Sequence, residues 1–302
     1  MMSLTYEVLK RSVRMLNLRK KFSMSEKELI ETAKKENSAG RIELLRDPDF
    51  EISLISVSGF PLMKMIHKEK TEKACLFIIG GGMIRAPRPD SIRKALKIAK
   101  QSGSDLYIPY YPLCTEHSLS EAYDMIHASY LRMLEAYEAE KITVLGTSAG
   151  GNLALGLIAY INANHLNTPK PHQIVAISPG TCAADEEEYR RMEEIDHLDV
   201  MIPAKFMKTA EQIMKHSGEN IPDYMIYLQK GDFSDCCKVT FMYGSDETLY
   251  GAAPSFEEAM KKYNVDYRMI VGKGMFHCYP VFPFCPEAKD GWNQMIDLMK
   301  NG

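Results

Sequence analysis

Residues 144–152 read Val-Leu-Gly-Thr-Ser-Ala-Gly-Gly-Asn and contain the pattern Gly-x-Ser-x-Gly, with Ser148 at its centre. The pattern follows an apolar run, residues 142–145, and precedes a helix-forming stretch. A strand that ends in this pattern and passes directly into a helix is the strand–turn–helix of a nucleophile elbow. Gly146 and Gly150 lack the Cβ atoms that would clash in so sharp a turn. The stretch therefore favours an exposed serine nucleophile; an ordinary glycine-rich turn is the alternative.

Strand-like and helix-like patterns alternate around this elbow. The run 74–79 is apolar throughout, as expected of a central strand buried on both faces. Further strands are predicted at 105–108, 141–145, 173–178, 238–243 and 267–271, and helices at 89–102, 119–138, 152–163, 255–263 and 286–300. Before them, the runs 41–45, 51–57 and 61–67 predict an antiparallel entry into the sheet. The alternation predicts an α/β fold with a mostly parallel central sheet and helices on both faces.

Two segments do not follow this alternation. Residues 1–40 read as helices, with Ser23 or Ser25 as the N-cap of the second. Residues 182–235 carry charge runs and a helical stretch but no strand pattern, and they are too long for a plain connection. We therefore expect a core of residues 41–181 and 236–302, with 182–235 as a helical insertion that forms a cap together with 1–40.

Composition narrows the class of protein. The 302 residues are 45% hydrophobic and 25% charged, with a net charge of −3, as in an ordinary globular protein without a basic face for nucleic acid. Residues 1–21 interrupt their apolar positions, Leu16 among them, with lysines and arginines, so we expect neither a secretory signal nor stable membrane insertion. We expect this amphipathic helix to pack on the body of the protein; binding to a membrane surface is the less favoured alternative. Seven irregularly spaced cysteines predict reduced thiols and a cytoplasmic protein.

Candidate residues that could activate Ser148 follow it in the order acid, then histidine. Of eight histidines, His277 alone follows a late strand, in a loop with two glycines. Asp246 and Glu247 both follow the preceding strand, and either could orient His277. Gly80 to Gly82 could turn backbone N–H groups toward an oxyanion, since they follow a buried strand. A phosphate loop is the less favoured alternative, because the Gly-x-x-x-x-Gly-Lys-Ser/Thr pattern is missing.

Several motifs together resemble the hormone-sensitive-lipase branch of the α/β-hydrolases, the small-ester and acetyl esterases. The elbow is similar to that family's Gly-Asp-Ser-Ala-Gly-Gly-Asn, and Ile79-Gly80-Gly81-Gly82 to its His-Gly-Gly-Gly motif. Similar landmarks lie at 110–117, 231–234, 244–249 and 274–280. The resemblance runs from about residue 75 to the C-terminus. It implies the α/β-hydrolase fold with a helical cap.

The resemblance also implies a function and a set of site residues. It implies a carboxylesterase that cleaves small to medium esters through an acyl-enzyme and needs no metal or organic cofactor, and the analogy with some relatives suggests a homodimer. The implied catalytic residues are Ser148, Glu247 and His277, with Asp246 as the alternative acid. Leu249 supports Glu247, because the family places its acid two residues before a leucine. The implied oxyanion donors are the backbone amides of Gly81, Gly82 and Ala149.

Two departures from the family pattern keep other functions open. Ile79 stands where the family has its motif histidine, and Thr147 stands where it has an aspartate before the nucleophile. A catalytically weak or inactive binding or sensor protein on a hydrolase scaffold is therefore one alternative. An amidase or a sugar deacetylase with the same three catalytic residues is another. The sequence predicts neither the natural substrate nor the length of its acyl chain.

Overall fold

An eight-stranded sheet lies at the centre of the described part of the chain. The computed structural model describes residues 3–15 and 17–301; Leu16, one of the predicted apolar positions, lies outside the described residues together with the two chain ends. The strands are β1 (Phe50–Val57), β2 (Phe60–His67), β3 (Ala74–Ile78), β4 (Asp105–Pro109), β5 (Ile142–Thr147), β6 (Gln173–Ile177), β7 (Lys238–Gly244) and β8 (Tyr267–Gly272).

The sheet is mostly parallel, as the sequence predicts. Its strand order is β1-β2-β4-β3-β5-β6-β7-β8. Only β2, among these strands, runs antiparallel to its neighbours β1 and β4. Every residue of β3, β4, β5 and β6 is buried, because helices cover both faces. Because β5, β6 and β7 pair in parallel, their carboxyl ends lie along one edge of the sheet, where a site can form.

Helices cover the two faces of the sheet. They are α1 (Leu4–Met15), α2 (Leu18–Lys21), α3 (Glu26–Ala39), α4 (Pro89–Ser102), α5 (Leu119–Leu134), α6 (Ala149–Ala163), α7 (Glu186–Asp196), α8 (Phe206–Met214), α9 (Asp223–Ile226), α10 (Ala253–Lys262) and α11 (Pro286–Asn301). Alternate strand residues face opposite sides, so that Leu76 packs toward α5 and α6 while Phe77 packs toward α4 and α11. Short 3-10 turns occupy Ala139–Lys141, Leu228–Lys230, Thr248–Ala252 and Tyr279–Val281.

The predicted strand at residues 41–45 is wrong. These residues adopt no regular secondary structure and pair with no strand among the described residues. Ile42 and Leu44 are 37% and 48% exposed, so their apolar side chains are not part of a sheet face. The antiparallel entry begins instead with β1 and β2. An apolar alternation predicts a strand only where a partner strand can satisfy its backbone groups.

The N-terminal helices contact the helices that lie between β6 and β7. The guanidinium of Arg19 donates to the carbonyl oxygens of Asp196 and Asp199, both at 2.7 Å. The rings of Phe22 and Phe206 meet edge to face, with centroids 4.8 Å apart. Ser25, one of the two predicted caps, is the N-cap of α3, and its hydroxyl and backbone N–H form a capping box with Glu28. Across the described residues, no helix combines the length and the apolar character needed to cross a bilayer.

Candidate active site

Ser148 lies at the tip of a sharp turn between β5 and α6. Its backbone angles are φ 53° and ψ −125°, a conformation that non-glycine residues rarely adopt. The turn is held by two backbone hydrogen bonds, from Ser148 N to Ile177 O (2.9 Å) and from Gly180 N to Ser148 O (2.8 Å). A Cβ at Gly150 would lie 1.9 Å from the carbonyl oxygen of Ile78. Glycine is therefore required there, and the surrounding strands hold the serine in a strained backbone conformation.

His277 and Glu247 form a buried pair close to the elbow. His277 Nδ1 lies 2.6 Å from Glu247 Oε2, and the two residues are 5% and 0% exposed. The other carboxylate oxygen of Glu247 accepts from Gly244 N and from Ser178 Oγ, each at 2.8 Å. Ser178 Oγ in turn accepts from Cys278 N at 2.9 Å. The carboxylate is thus fixed on both oxygens, and the ring orientation of His277 follows from it.

The surroundings of His277 favour its protonated form. Burial alone disfavours the imidazolium, but the adjacent Cys278 thiol and the Glu247 carboxylate act in the opposite direction and hold the pKa of His277 well above its ordinary value. A base whose charged form is stabilised in this way can accept a proton from a poor acid such as a serine hydroxyl.

Asp246 lies next to Glu247 in sequence but faces another part of the molecule. Its carboxylate pairs with Lys10 Nζ of α1 at 2.7 Å and accepts from Ser245 Oγ at 3.0 Å. It makes no hydrogen bond to His277 in the described structure. Of the two acids that the sequence offers, Glu247 is therefore the one in contact with the histidine.

Ser148 and His277 line the same cavity without a hydrogen bond between them. Within residues 3–15 and 17–301, Ser148 Oγ bonds to no side chain, and His277 Nε2 lies 3.5 Å from Cys278 Sγ. Catalytic hydrogen bonds are commonly long in the absence of substrate and tighten when it binds. The predicted serine and histidine thus lie in one cavity, but no hydrogen bond joins them in the described structure.

The glycine loop after β3 presents free amides beside Ser148. The N–H groups of Gly81, Gly82 and Ala149 donate to no acceptor among the described residues. Ala149 is the first residue of α6, where the helix has no internal acceptor to offer its N–H. A Cβ at Gly81 would lie 2.1 Å from the carbonyl oxygen of Arg85, so the loop tolerates no side chain there. Three unsatisfied donors close to one hydroxyl suit the binding of an oxyanion.

The two departures from the family pattern have structural consequences at this loop. Thr147 Oγ1 accepts from Gly80 N at 3.1 Å and so ties the elbow to the loop. Ile79 is 6% exposed and packs in the apolar cluster beneath α4, while its carbonyl oxygen accepts from the buried Tyr111 hydroxyl at 3.1 Å. Neither role was predicted from the sequence. Thr147 stands in the elbow motif and Tyr111 in the landmark at 110–117, so these motifs were the available signal.

Two cavities adjoin Ser148. The larger, about 220 Å³, is lined by His277, by the glycine loop and by residues of α4. The smaller, about 50 Å³, lies toward α8 and is lined by Ala149, Asn152 and the apolar side chains of Met207 and Met214, but not by His277. Across the described ranges, no group of three or more His, Cys, Asp or Glu side chains is placed to hold a metal ion.

Comparisons with known proteins agree with the fold described above. A family model described as the alpha/beta hydrolase fold matches residues 75–281. The chain is 30% identical over 160 residues to Esterase LipU of Mycobacterium tuberculosis, an alignment that covers 52% of this chain and 50% of that protein. It is 32% identical over 108 residues to Carboxylesterase/phospholipase LipF of the same organism, covering 35% of this chain and 28% of LipF. The chain thus spans about half or less of the curated relatives that it matches.

Solved structures share the fold over nearly the whole chain. A crystal structure of EstE5 soaked with p-nitrophenyl butyrate superposes with a TM-score of 0.80 at 18% identity, covering 99% of this chain and 98% of that one. An esterase from the bacterial hormone-sensitive lipase family superposes with a TM-score of 0.74 at 19% identity, covering 91% and 97%. At these identities the likeness concerns the fold.

Proposed function

The chain belongs to the α/β-hydrolase family, and from this premise we propose that it is a serine hydrolase that cleaves carboxylic esters. The observation that carries the proposal is the buried 2.6 Å contact between His277 and Glu247, beside a serine held in a strained turn. The curated relatives that it matches in part are named esterases, which supports the same class of reaction.

In the proposed reaction, Ser148 Oγ attacks the ester carbonyl carbon and gives its proton to His277 Nε2. Glu247 holds the ring through Nδ1–H and stabilises the imidazolium. The amides of Gly81, Gly82 and Ala149 bind the oxyanion, and each donor contributes roughly 3 kcal/mol. His277 then protonates the leaving alkoxide, which departs as the alcohol. Water then gives a proton to His277 and attacks the acyl carbon; the bond to Ser148 Oγ breaks, His277 returns the proton to this oxygen, and the carboxylic acid is released.

The position of His277 supports a proposal for which part of the ester each cavity binds. The leaving alkoxide must lie within reach of the group that protonates it, so the alcohol part occupies the larger cavity, which His277 lines. The acyl chain then occupies the smaller cavity beside Ala149. A volume of 50 Å³ holds about four water-sized groups. We therefore propose a preference for short acyl chains.

We also propose that residues 1–40 and 182–235 form a cap over the core of residues 41–181 and 236–302. The contacts of Arg19 and Phe22 with the α7–α8 region support this division. Phe22, Met201 and Phe206 also line the cavity that holds Ser148, so the proposed cap takes part in enclosing the substrate.

A binding protein without turnover is the second candidate. It is favoured by one observation: His277 Nε2 lies against Cys278 Sγ and has no hydrogen bond to Ser148 in the described structure. Such a protein would retain an ester ligand without cleaving it.

Hydrolysis of p-nitrophenyl acetate, butyrate and octanoate separates the two candidates. We expect turnover of acetate and butyrate that exceeds turnover of octanoate, and loss of turnover in Ser148→Ala. Ser217→Ala is the matched control, because Ser217 is exposed on a loop outside both cavities. Equal rates for wild type and Ser148→Ala on all three esters would refute the esterase and leave the binding protein.

A further inference from the structure

One face of α4 forms a wall of the larger cavity. Three residues of this helix line the cavity and lie at helical spacing on one face: Ser91, Lys94 and Ile98. Besides His277, two side chains that carry a positive charge line this cavity, Lys94 and Arg85. Arg85 is already neutralised, since its Nε lies 2.8 Å from Glu36 Oε2. Lys94 has no carboxylate within ion-pairing distance in the part of the chain that the structure describes.

The ammonium group of Lys94 lies near the segment that carries His277. Its Nζ is 3.7 Å from the ring centroid of Phe282, and Phe282 and Cys278 line the same cavity. The side chain is half-buried, and this burial lowers the pKa of Lys94, although Asp90 and Cys278 oppose the shift. The ammonium has therefore given up part of its hydration, and its close partner is the face of an aromatic ring and not a carboxylate.

A desolvated cation without a counter-ion is a binding site for an anion. Transfer of a charged group out of water costs free energy that an opposite charge recovers. Because Lys94 lies on the side of the cavity assigned to the leaving alcohol, the anion that reaches it belongs to the alcohol part of the substrate. The Ser91 hydroxyl, one helical turn away, can donate a further hydrogen bond to it.

We propose that this site selects esters whose alcohol part carries a carboxylate, with Lys94 as the residue that binds it. The inference rests on the proposed esterase function and adds the substrate class: short-chain acyl esters of hydroxycarboxylic acids. The cavity volume is compatible with an aromatic or aliphatic hydroxy acid, since a cavity of about 150 Å³ already accommodates benzene and this one has about 220 Å³.

A matched pair of esters tests the proposal. We would measure kcat/KM for 4-acetoxybenzoate and for the neutral 4-acetoxybenzamide, whose acyl group and ring are the same. The ratio of the two constants, compared between wild type and Lys94→Met, cancels the intrinsic reactivity of each ester. Loss of one charge-assisted hydrogen bond should lower the ratio by about tenfold to a hundredfold.

Lys97→Met is the control for the change in net charge. Lys97 lies on the same helix, but its Nζ faces the Trp292 ring at 4.9 Å and it does not line the cavity. We expect the wild-type ratio in this variant. An unchanged ratio in Lys94→Met, with both esters still hydrolysed, would overturn the proposal. Lys94→Gln, which keeps a polar group, replaces Lys94→Met if the latter fails to fold by circular dichroism.

Binding of the product separates this proposal from the esterase proposal. Titration calorimetry with 4-hydroxybenzoate and 4-hydroxybenzamide needs no turnover. We expect the carboxylate to bind more tightly to wild type and to lose this advantage in the Lys94 variant. If wild type hydrolyses neither ester but shows this difference in binding, the esterase fails and the anion site stands. If 4-hydroxybenzoate binds wild type no better than the amide does, the anion site fails whatever the hydrolysis shows.

Discussion

The two sides of the candidate site are built in different ways. On one side, Glu247 and His277 are held by charge and by direct side-chain hydrogen bonds in a fully buried position. On the other, the amides of Gly81 and Gly82 stay unoccupied, and their loop is positioned by neutral contacts from Thr147 and Tyr111. The difference predicts that the proposed proton transfer depends on a single buried charge. The proposed oxyanion binding depends on backbone shape.

Removing the charge of Glu247 should give the largest effect. Glu247→Gln keeps the size of the side chain but leaves the imidazolium without its carboxylate, so we expect kcat/KM to fall by roughly 10³- to 10⁴-fold. Asp246→Asn is the matched variant, since that acid pairs with Lys10 instead of His277. It should lose less than about tenfold, because a partly exposed ion pair contributes little. Similar losses in the two variants would contradict the assignment of the acid.

Displacing the oxyanion loop should give the next largest effect. In Gly81→Ala the new Cβ clashes with the carbonyl oxygen of Arg85. The loop must therefore move, and its amides no longer point toward the oxyanion. We expect kcat to fall by about 10²- to 10³-fold, the effect of losing one oxyanion donor. The pH at which kcat/KM rises should stay as in wild type, since His277 is untouched. A shift of that pH would show that the two sides are not independent.

Weakening the tie between elbow and loop should have a smaller effect. Thr147→Val removes the oxygen that accepts from Gly80 N and leaves this N–H unsatisfied, at a cost of about 1–3 kcal/mol in stability. We expect a lower melting temperature and a loss of about tenfold in kcat. Thr147→Ser retains the hydroxyl and should stay close to wild type in both. Equal melting temperatures for the two variants would contradict a stabilising hydrogen bond between Gly80 N and Thr147 Oγ1.

The pH dependence should show the smallest but most specific effect. The imidazole must be neutral to accept the serine proton, and its folded pKa is raised, so kcat/KM should rise with pH through a value above the ordinary pKa of about 6.5. The same shift implies that the stabilisation from His277 is complete below the unfolded pKa and is lost as pH rises through the folded one. In Glu247→Gln the kinetic inflection should move to lower pH. An unmoved inflection would contradict the role of the carboxylate.

The sequence predicted the sheet and helices well because their signals are local. The buried runs that became β3 and β5 and the N-cap at Ser25 depend on neighbouring residues in the chain. The strand predicted at 41–45 failed because a strand needs a partner that a local pattern does not report. The choice between Asp246 and Glu247 rested on a resemblance, since adjacent acids differ only in which way the folded loop turns them. The unpaired state of Lys94 depends on every acid that folding brings near it, so no local sequence pattern predicts it.

The measurement that tests the central claim most directly is covalent labelling of the protein with a fluorophosphonate probe, with the modified peptide identified by mass spectrometry. Only a serine activated by a base and facing an oxyanion site reacts rapidly with such a probe. We expect labelling on Ser148 in wild type, much slower labelling in Glu247→Gln, and none at this position in Ser148→Ala. Absence of labelling in wild type, or labelling that is equally fast in Glu247→Gln, would contradict a serine activated by the His277–Glu247 pair.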